Sequence, residues 1–246
     1  MKGGALLFAC LLALLSYIGI VEFYRMALPG RTVEVWLAAL SGSSLIFAPF
    51  AAGDRLAFAG IGLLFLTFAL LFLFRIRNIA DAASEVAYTI LAFIYIPFLL
   101  MHLVMLRQTQ FGVQWLLVIM LIVMTNDTAA YYTGCTFGRN KLYPLVSPKK
   151  SIEGALGGLL GSVCGTLLAK FTFFQQLTLV DALVTAIVIG MLGQVGDLFE
   201  SLLKRSFGVK DSGTIFPGHG GVLDRLDSIL FAAPATYYYV TYIFKG

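Results

Sequence analysis

Asp197, Ser201 and Lys204 stand at i, i+4 and i+7 in the stretch GQVGDLFESLLKR. On a helix that spacing lines up a carboxylate, a hydroxyl and an ammonium along one face. Further on, GVLDRLDSIL sets Asp224 and Asp227 three apart, again neighbours on one helical face. Helix capping would use the same pair, Asp224 as N-cap and Asp227 as a first-turn acid favoured by the dipole. Convergence of all three carboxylates would instead make an all-oxygen site. Mg2+ accepts such a site while keeping several waters and sharing the phosphate oxygens of a substrate. The intervening turn FPGHGG can bring the two helix ends together, and it carries His219 amid charges. From Asp197 to Asp227 the chain holds nine of its thirty Asp, Glu, Lys and Arg residues. The basic ones are placed to address an anionic substrate.

A second polar stretch, NDTAAYYTGCTFGRNKLYPLVSPKKSIEG, has the same character. Asp127 interrupts an apolar run, where an acid costs about 2.5–3.5 kcal/mol at a helix centre and so needs a partner. Tyr131 follows one turn later. Ser147 and Pro148 read as N-cap and first residue of the next helix. Lys149 and Lys150 in that first turn would oppose the helix dipole, which makes sense if a phosphate sits there. No Gly-Lys pair, GxGxxG or GxSxG occurs, so neither a Walker loop nor a nucleophile elbow is present. His102 lies in an apolar span and reads as a packing residue. Cys10, Cys135 and Cys164 are odd in number and lack metal-ligand or CxxC spacing, so they read as small buried hydrophobes.

Helices in a membrane must position these groups. Of 246 residues, 59% are hydrophobic and only 12% charged, about half the charge of an ordinary soluble domain, with a mean hydropathy of +0.90. We expect an all-α, polytopic transmembrane bundle of eight spans, near 4–24, 34–52, 56–74, 85–106, 111–133, 154–172, 178–199 and 226–244. The first is too long for a secretory signal and lacks a small-x-small cleavage site before Glu22. Residues 1–107 read as scaffold helices, and residues 108–246 as the catalytic region. Gly157, Gly161 and Gly165 recur every fourth residue, leaving one helix face bare for a neighbouring backbone. Tyr237, Tyr238, Tyr239 and Tyr242 read as an interfacial belt.

From Ser201 to Asp227 the residues follow, without a gap, the pattern S-x-x-K-R-x4-K-D-x-G-x2-x-P-G-H-G-G-x2-D-R-x-D. This resembles the signature of the phosphatidate cytidylyltransferase (CDP-diacylglycerol synthase) family. NDTAAYYTGCTFGRNKL and SPKKSIEGALGG are similar to that family's second region, and EFYRM after the first span also has its character. The resemblance implies joining phosphatidic acid to CTP with release of pyrophosphate, dependent on Mg2+ and with room for a second cation. It implies Asp197, Asp224 and Asp227 as metal ligands. Lys204, Arg205, Lys210 and Arg225 would hold the triphosphate or the lipid phosphate, and Ser147, Lys149 and Lys150 the other anion. Asp211 and His219 would belong to the catalytic set, and Asp127 and Ser201 to the substrate-binding one. Membrane lipid and CTP are the expected partners, with no nucleic acid, and a homodimer is the assembly to test. A transporter would also bury carboxylates, but its polar groups should cluster near the midplane; here they gather at one end.

Twelve of the 17 Lys and Arg residues fall in the odd-numbered loops. The positive-inside rule then puts those loops and the active site in the cytoplasm, at the inner membrane surface, and both termini outside. In a background lacking the native cysteines, Leu142→Cys should react with an impermeant maleimide only after the cytoplasmic side is opened. Labelling in intact cells would reverse the orientation.

Overall fold

A computed structural model describes residues 2–51, 54–216, 218 and 220–246, with side chains from position 4 onward except at 51 and 54–58. Pro217 and His219 therefore lie outside the described residues, and with them the expectation placed on His219.

In hydrocarbon every backbone N–H and C=O must be satisfied inside its own segment, so apolar runs of this length become helices. The chain forms α1 (Lys2–Ala27), α2 (Thr32–Ser44), α3 (Ala48–Ala51), α4 (Asp54–Phe74), α5 (Ala82–Phe93) and α6 (Leu99–Arg107). Then come α7 (Gly112–Phe137), α8 (Ile152–Thr172), α9 (Leu179–Ser206) and α10 (Leu223–Tyr242). A 3-10 turn at Leu45–Phe47 joins α2 to α3. A π-turn at Ile94–Phe98 joins α5 to α6, where Pro97 lacks the N–H that a regular helix would use.

Over their described residues all eight expected segments are largely helical. Among the described residues, six helices are long and apolar enough to cross a membrane: Gly4–Ala27, Thr32–Phe50, Ala82–Arg107, Gly112–Phe137, Ile152–Thr172 and Leu179–Ser206. The third segment contributes a shorter apolar stretch, Ala59–Phe74. The eighth, α10, starts with Asp224, Arg225 and Asp227. The protein is an all-α, polytopic integral membrane protein.

The fold divides into two compact units, residues 1–105 with 211–224 and residues 106–210 with 225–246. The first unit buries Ile20, Phe23, Tyr24, Ile46, Ile96 and Leu100. Its polar centre is Arg31, only 3% exposed. Arg31 Nε and Nη2 donate to Glu85 at 2.9 and 2.5 Å, while Nη1 reaches Glu34 Oε1 at 3.2 Å and the Arg75 carbonyl at 3.0 Å. The bonds to Glu85 raise the guanidinium pKa above its ordinary value. One buried fork thus ties the α1–α2 turn to the chain leaving α4 and to α5.

In the second unit α8 lies against α7 along its glycines. A Cβ at Gly161 would stand 2.5 Å from both Ala129 Cβ and the Thr125 carbonyl oxygen, and one at Gly165 would meet Thr125. The bare face is therefore a packing device. At the far end Trp115 sits among Phe174, Tyr239 and Phe244. Tyr239 donates to Asp181 at 2.5 Å, so of the four tyrosines it is a packed, bonded residue, while Tyr238 and Tyr242 stack on an exposed face.

Two local expectations are corrected. Ser147–Ser151 is strand β2, paired antiparallel with β1 (Lys141–Tyr143), rather than the start of α8. The N-cap is Ser151, whose Oγ accepts the Gly154 N–H at 3.1 Å, so Pro148 sits in an extended strand instead of at the first helical position. Pro suits either place, and the N–H that a cap satisfies, that of Gly154, lies three residues after Ser151. The three cysteines are unpaired but exposed. Around a membrane protein the outer face is itself apolar, so a small hydrophobe need not be buried.

Arg31→Met leaves two carboxylates without their shared cation. Removing one partner of a buried pair costs about 3–5 kcal/mol, so detergent-solubilised protein should melt markedly earlier. An unchanged melting curve would show that the fork contributes nothing to the first unit.

Candidate active site

Three helices and the hairpin shape the site in the second unit. Asn126 is buried in α7 and sits in an apolar helix, so its amide must find partners. Its Nδ2 donates to Ser162 Oγ at 2.8 Å in α8 and to the Gly190 carbonyl at 3.3 Å in α9. Its Oδ1 accepts from Gln194 Nε2 at 3.0 Å, and the same nitrogen bonds the Ala155 carbonyl at 2.9 Å. One amide pair thereby fixes three helices in register. Asp127 adjoins Asn126 in the chain, and Asp197 follows Gln194 by one helical turn.

Above this network opens a cavity of about 370 Å3. Its polar lining is Asp127, Tyr131, Lys149, Lys150, Gln194 and Asp197; Ala130, Ala155 and Leu142 supply apolar wall. Lys150 Nζ meets Asp197 Oδ2 at 2.5 Å. The hairpin that delivers the lysine is anchored by Glu153, which accepts the N–H groups of Arg139 and Asn140 and the Asn140 side-chain amide. Asp227 lies within electrostatic reach of Asp197, Asp127 and Lys150. Gly196 lets α10 approach there, because a Cβ would run into the Asp227 carbonyl.

The arrangement thus gathers Asp127, Asp197, Asp227, Lys149 and Lys150 in one unit. Other expected residues have visible structural engagements. Lys204 pairs at 2.6 Å with Glu200, which is 1% exposed, and Arg205 Nη1 donates to the Val209 carbonyl at the end of α9. Ser201 is half-buried on α9, one turn beyond Asp197; Lys210, Asp211 and Arg225 are exposed, and Ser147 is half-buried at the start of β2. Asp224 belongs to the first unit, where its Oδ2 accepts the N–H groups of Ser212 and Gly221 and the Ser212 hydroxyl at 2.7–2.9 Å. It lies in the first turn of α10 and not at the cap position, yet it satisfies backbone donors as a cap would.

Sequence reasoning missed Gln194, Glu200 and the company Asp127 keeps with Asp197. The available signal was a polar residue inside an apolar run, which demands a partner. Among the described residues no three His, Cys, Asp or Glu side chains close into a ready metal cage. The grouped acids are all oxygen donors, and Lys150 already places positive charge on Asp197. That is what a hard cation completed by waters and phosphate oxygens would replace.

A profile of the cytidylyltransferase family matches residues 1–243. The chain is 35% identical over 242 residues to the phosphatidate cytidylyltransferase of Staphylococcus epidermidis, an alignment covering 95% of this chain and 89% of the relative. It is 32% identical over 246 residues to that of Bacillus subtilis, covering 96% and 89%. With that of Thermotoga maritima it shares 36% over 188 residues, covering 72% and 67%.

Asn126→Leu removes the amide that α7, α8 and α9 share and leaves the Ser162 hydroxyl and Gln194 amide short of a partner. Leaving such groups unsatisfied costs about 1–3 kcal/mol, so a lower melting temperature is expected. Unaltered stability would mean that glycine packing alone sets the helix register.

Proposed function

Because the chain belongs to the cytidylyltransferase family, we propose that it transfers the cytidylyl group of CTP to phosphatidate, forming CDP-diacylglycerol and releasing pyrophosphate for phospholipid synthesis. The observation that carries this reading is the cavity in which two lysines face two aspartates, Asp127 and Asp197, at the end of membrane-length helices. An anionic lipid headgroup and an anionic nucleotide both suit such a place.

In this reaction a phosphatidate oxygen attacks the α-phosphorus of CTP, a P–O bond forms, and the bond to pyrophosphate breaks. The attacking oxygen is already ionised at neutral pH, so no general base is required. Catalysis then consists of positioning and charge neutralisation. Lys150 neutralises Asp197 before substrate enters and turns its ammonium to a phosphate oxygen afterwards. Lys149 is the second cation at the cavity wall, and Tyr131 and Leu142 exclude water. Lys210, with Arg225 and Arg205, meets the phosphates that extend beyond the cavity.

Asp127, Asp197 and Asp227 would hold Mg2+, which when bound supplies a Lewis acid against the charge of the departing pyrophosphate. Asp224 is left to the signature loop it already binds. The twelve basic residues of the odd loops favour a cytoplasmic site, where CTP is found.

Purified protein given CTP, Mg2+ and a panel of lipid phosphates should release pyrophosphate and form a CDP-lipid with phosphatidate. No product with phosphatidate, but product with another lipid phosphate, would reassign the acceptor. Asp197→Asn keeps the size of the side chain and loses the anion a hard cation prefers. It should melt like the wild type without metal and lose most turnover; near-normal turnover would remove Asp197 from the site. Lys210→Ala should insert normally and lose activity, and wild-type kinetics would exclude it.

A further inference from the structure

Glu22 lies within the apolar helix α1 and is 3% exposed. A carboxylate there needs compensation, and it comes from donors 200 and 201 positions further along the chain. Oε1 accepts the Val222 N–H at 2.9 Å, and Oε2 accepts the Leu223 N–H at 2.9 Å. These are orphan donors at the very start of α10, where the helix dipole favours an anion. Ser212 Oγ is 3.2 Å from Glu22 Oε2 and 2.8 Å from Asp224 Oδ2, so the signature loop is gripped by a carboxylate on each side. The loop backbone closes on Glu22 tightly. A Cβ at Gly221 would stand 2.5 Å from both of its carboxylate oxygens, and one at Gly213 would stand 2.5 Å from Oε1.

We infer that Glu22 is a positioning residue for the cytidylyl transfer: it fixes the signature loop and the first turn of α10, and so sets where Asp227, one turn further along that helix, is presented. The inference rests on the proposed role of Asp227. It gives a task to a residue outside the signature, some 190 positions before the loop it holds. The bonds are charge-assisted, and each oxygen faces an N–H. Glutamine in its place could accept with one atom only, while its amide nitrogen would confront a donor.

The test is Glu22→Gln in detergent, read by amide exchange and by turnover, with Tyr24→Phe, which loses a bond to Thr89 in the same unit, as the control. Glu22→Gln should remain helical and monodisperse. Exchange across 212–223 should accelerate, kcat should fall roughly tenfold or more, and the KM for CTP should move little. Tyr24→Phe should leave the loop protected and turnover near the wild type. Turnover within about twofold of wild type for Glu22→Gln overturns the inference. So does lost turnover with the loop still fully protected, because Glu22 would then act on something other than the loop. Should Glu22→Gln fail to fold, Gly221→Ala disturbs the same clamp from the loop side and must give the same paired result, or the inference falls. The proposed role of Asp227 fails separately: a fully active Asp227→Asn removes it and leaves the exchange result standing.

Discussion

A charge placed among apolar helices must be met by an opposite charge or by N–H groups, and this constraint organises both units. The Lys150–Asp197 contact is a wetted instance, with about three-tenths of each side chain accessible. A pair so wetted is worth about 0.2–1 kcal/mol, too little to hold helices together. The glycines of α8 and the Asn126–Gln194 amides do that instead, and the ion pair is left able to rearrange. Arg31 shows the opposite regime. Both it and Glu34 are sealed from solvent, each guanidinium nitrogen of Arg31 has an acceptor, and the cost of disturbing the fork is several kcal/mol.

The glycines and the acids are parts of one arrangement. Close approach of α7 and α8 at Gly161 and Gly165 leaves no room for larger side chains between them, and the cavity opens nearer the start of α8, where Gly134 and Gly154 line it. There the hairpin begins, and its second strand carries Lys149 and Lys150 into the opening. Glu153 holds the hairpin by backbone N–H groups, and Ser151 caps the helix that follows. Each element that sets the lysines is thus itself fixed by a short-range hydrogen bond.

Much of the helical order was legible because composition and apolar length suffice for it. The glycine spacing in α8 announced a helix contact, and Asp197 and the Lys149–Lys150 pair each stood out from the apolar background, but that Lys150 meets Asp197 is a tertiary fact the sequence does not show. Strand β2 was not legible. SPKKS reads equally well as a helix start, and the choice depends on pairing with Lys141–Tyr143, a tertiary fact. Nor was the division of labour among the acids. Asp224 and Asp227 look alike at i and i+3, yet Asp224 accepts three loop donors. Nor does the sequence point to a role for Glu22, whose partners lie 190 to 201 positions further along the chain.

That division suggests how to separate structural from chemical carboxylates in such a protein. Glu22, Asp224, Glu153 and Asp181 each accept two or more donors fixed by the backbone or a packed tyrosine. Their lone pairs are directed, and drawing one away would leave an N–H unsatisfied at about 1–3 kcal/mol. Among the described residues Asp127 accepts no hydrogen bond, Asp227 takes only its neighbour Ser228 N–H, and Asp197 is met by a single flexible ammonium. A lysine stem can swing away and be resolvated at small cost. The acids open to recruitment by a substrate are those whose partners are mobile or few, and Asp127, Asp197 and Asp227 are of that kind, which is why the proposed site is built on them.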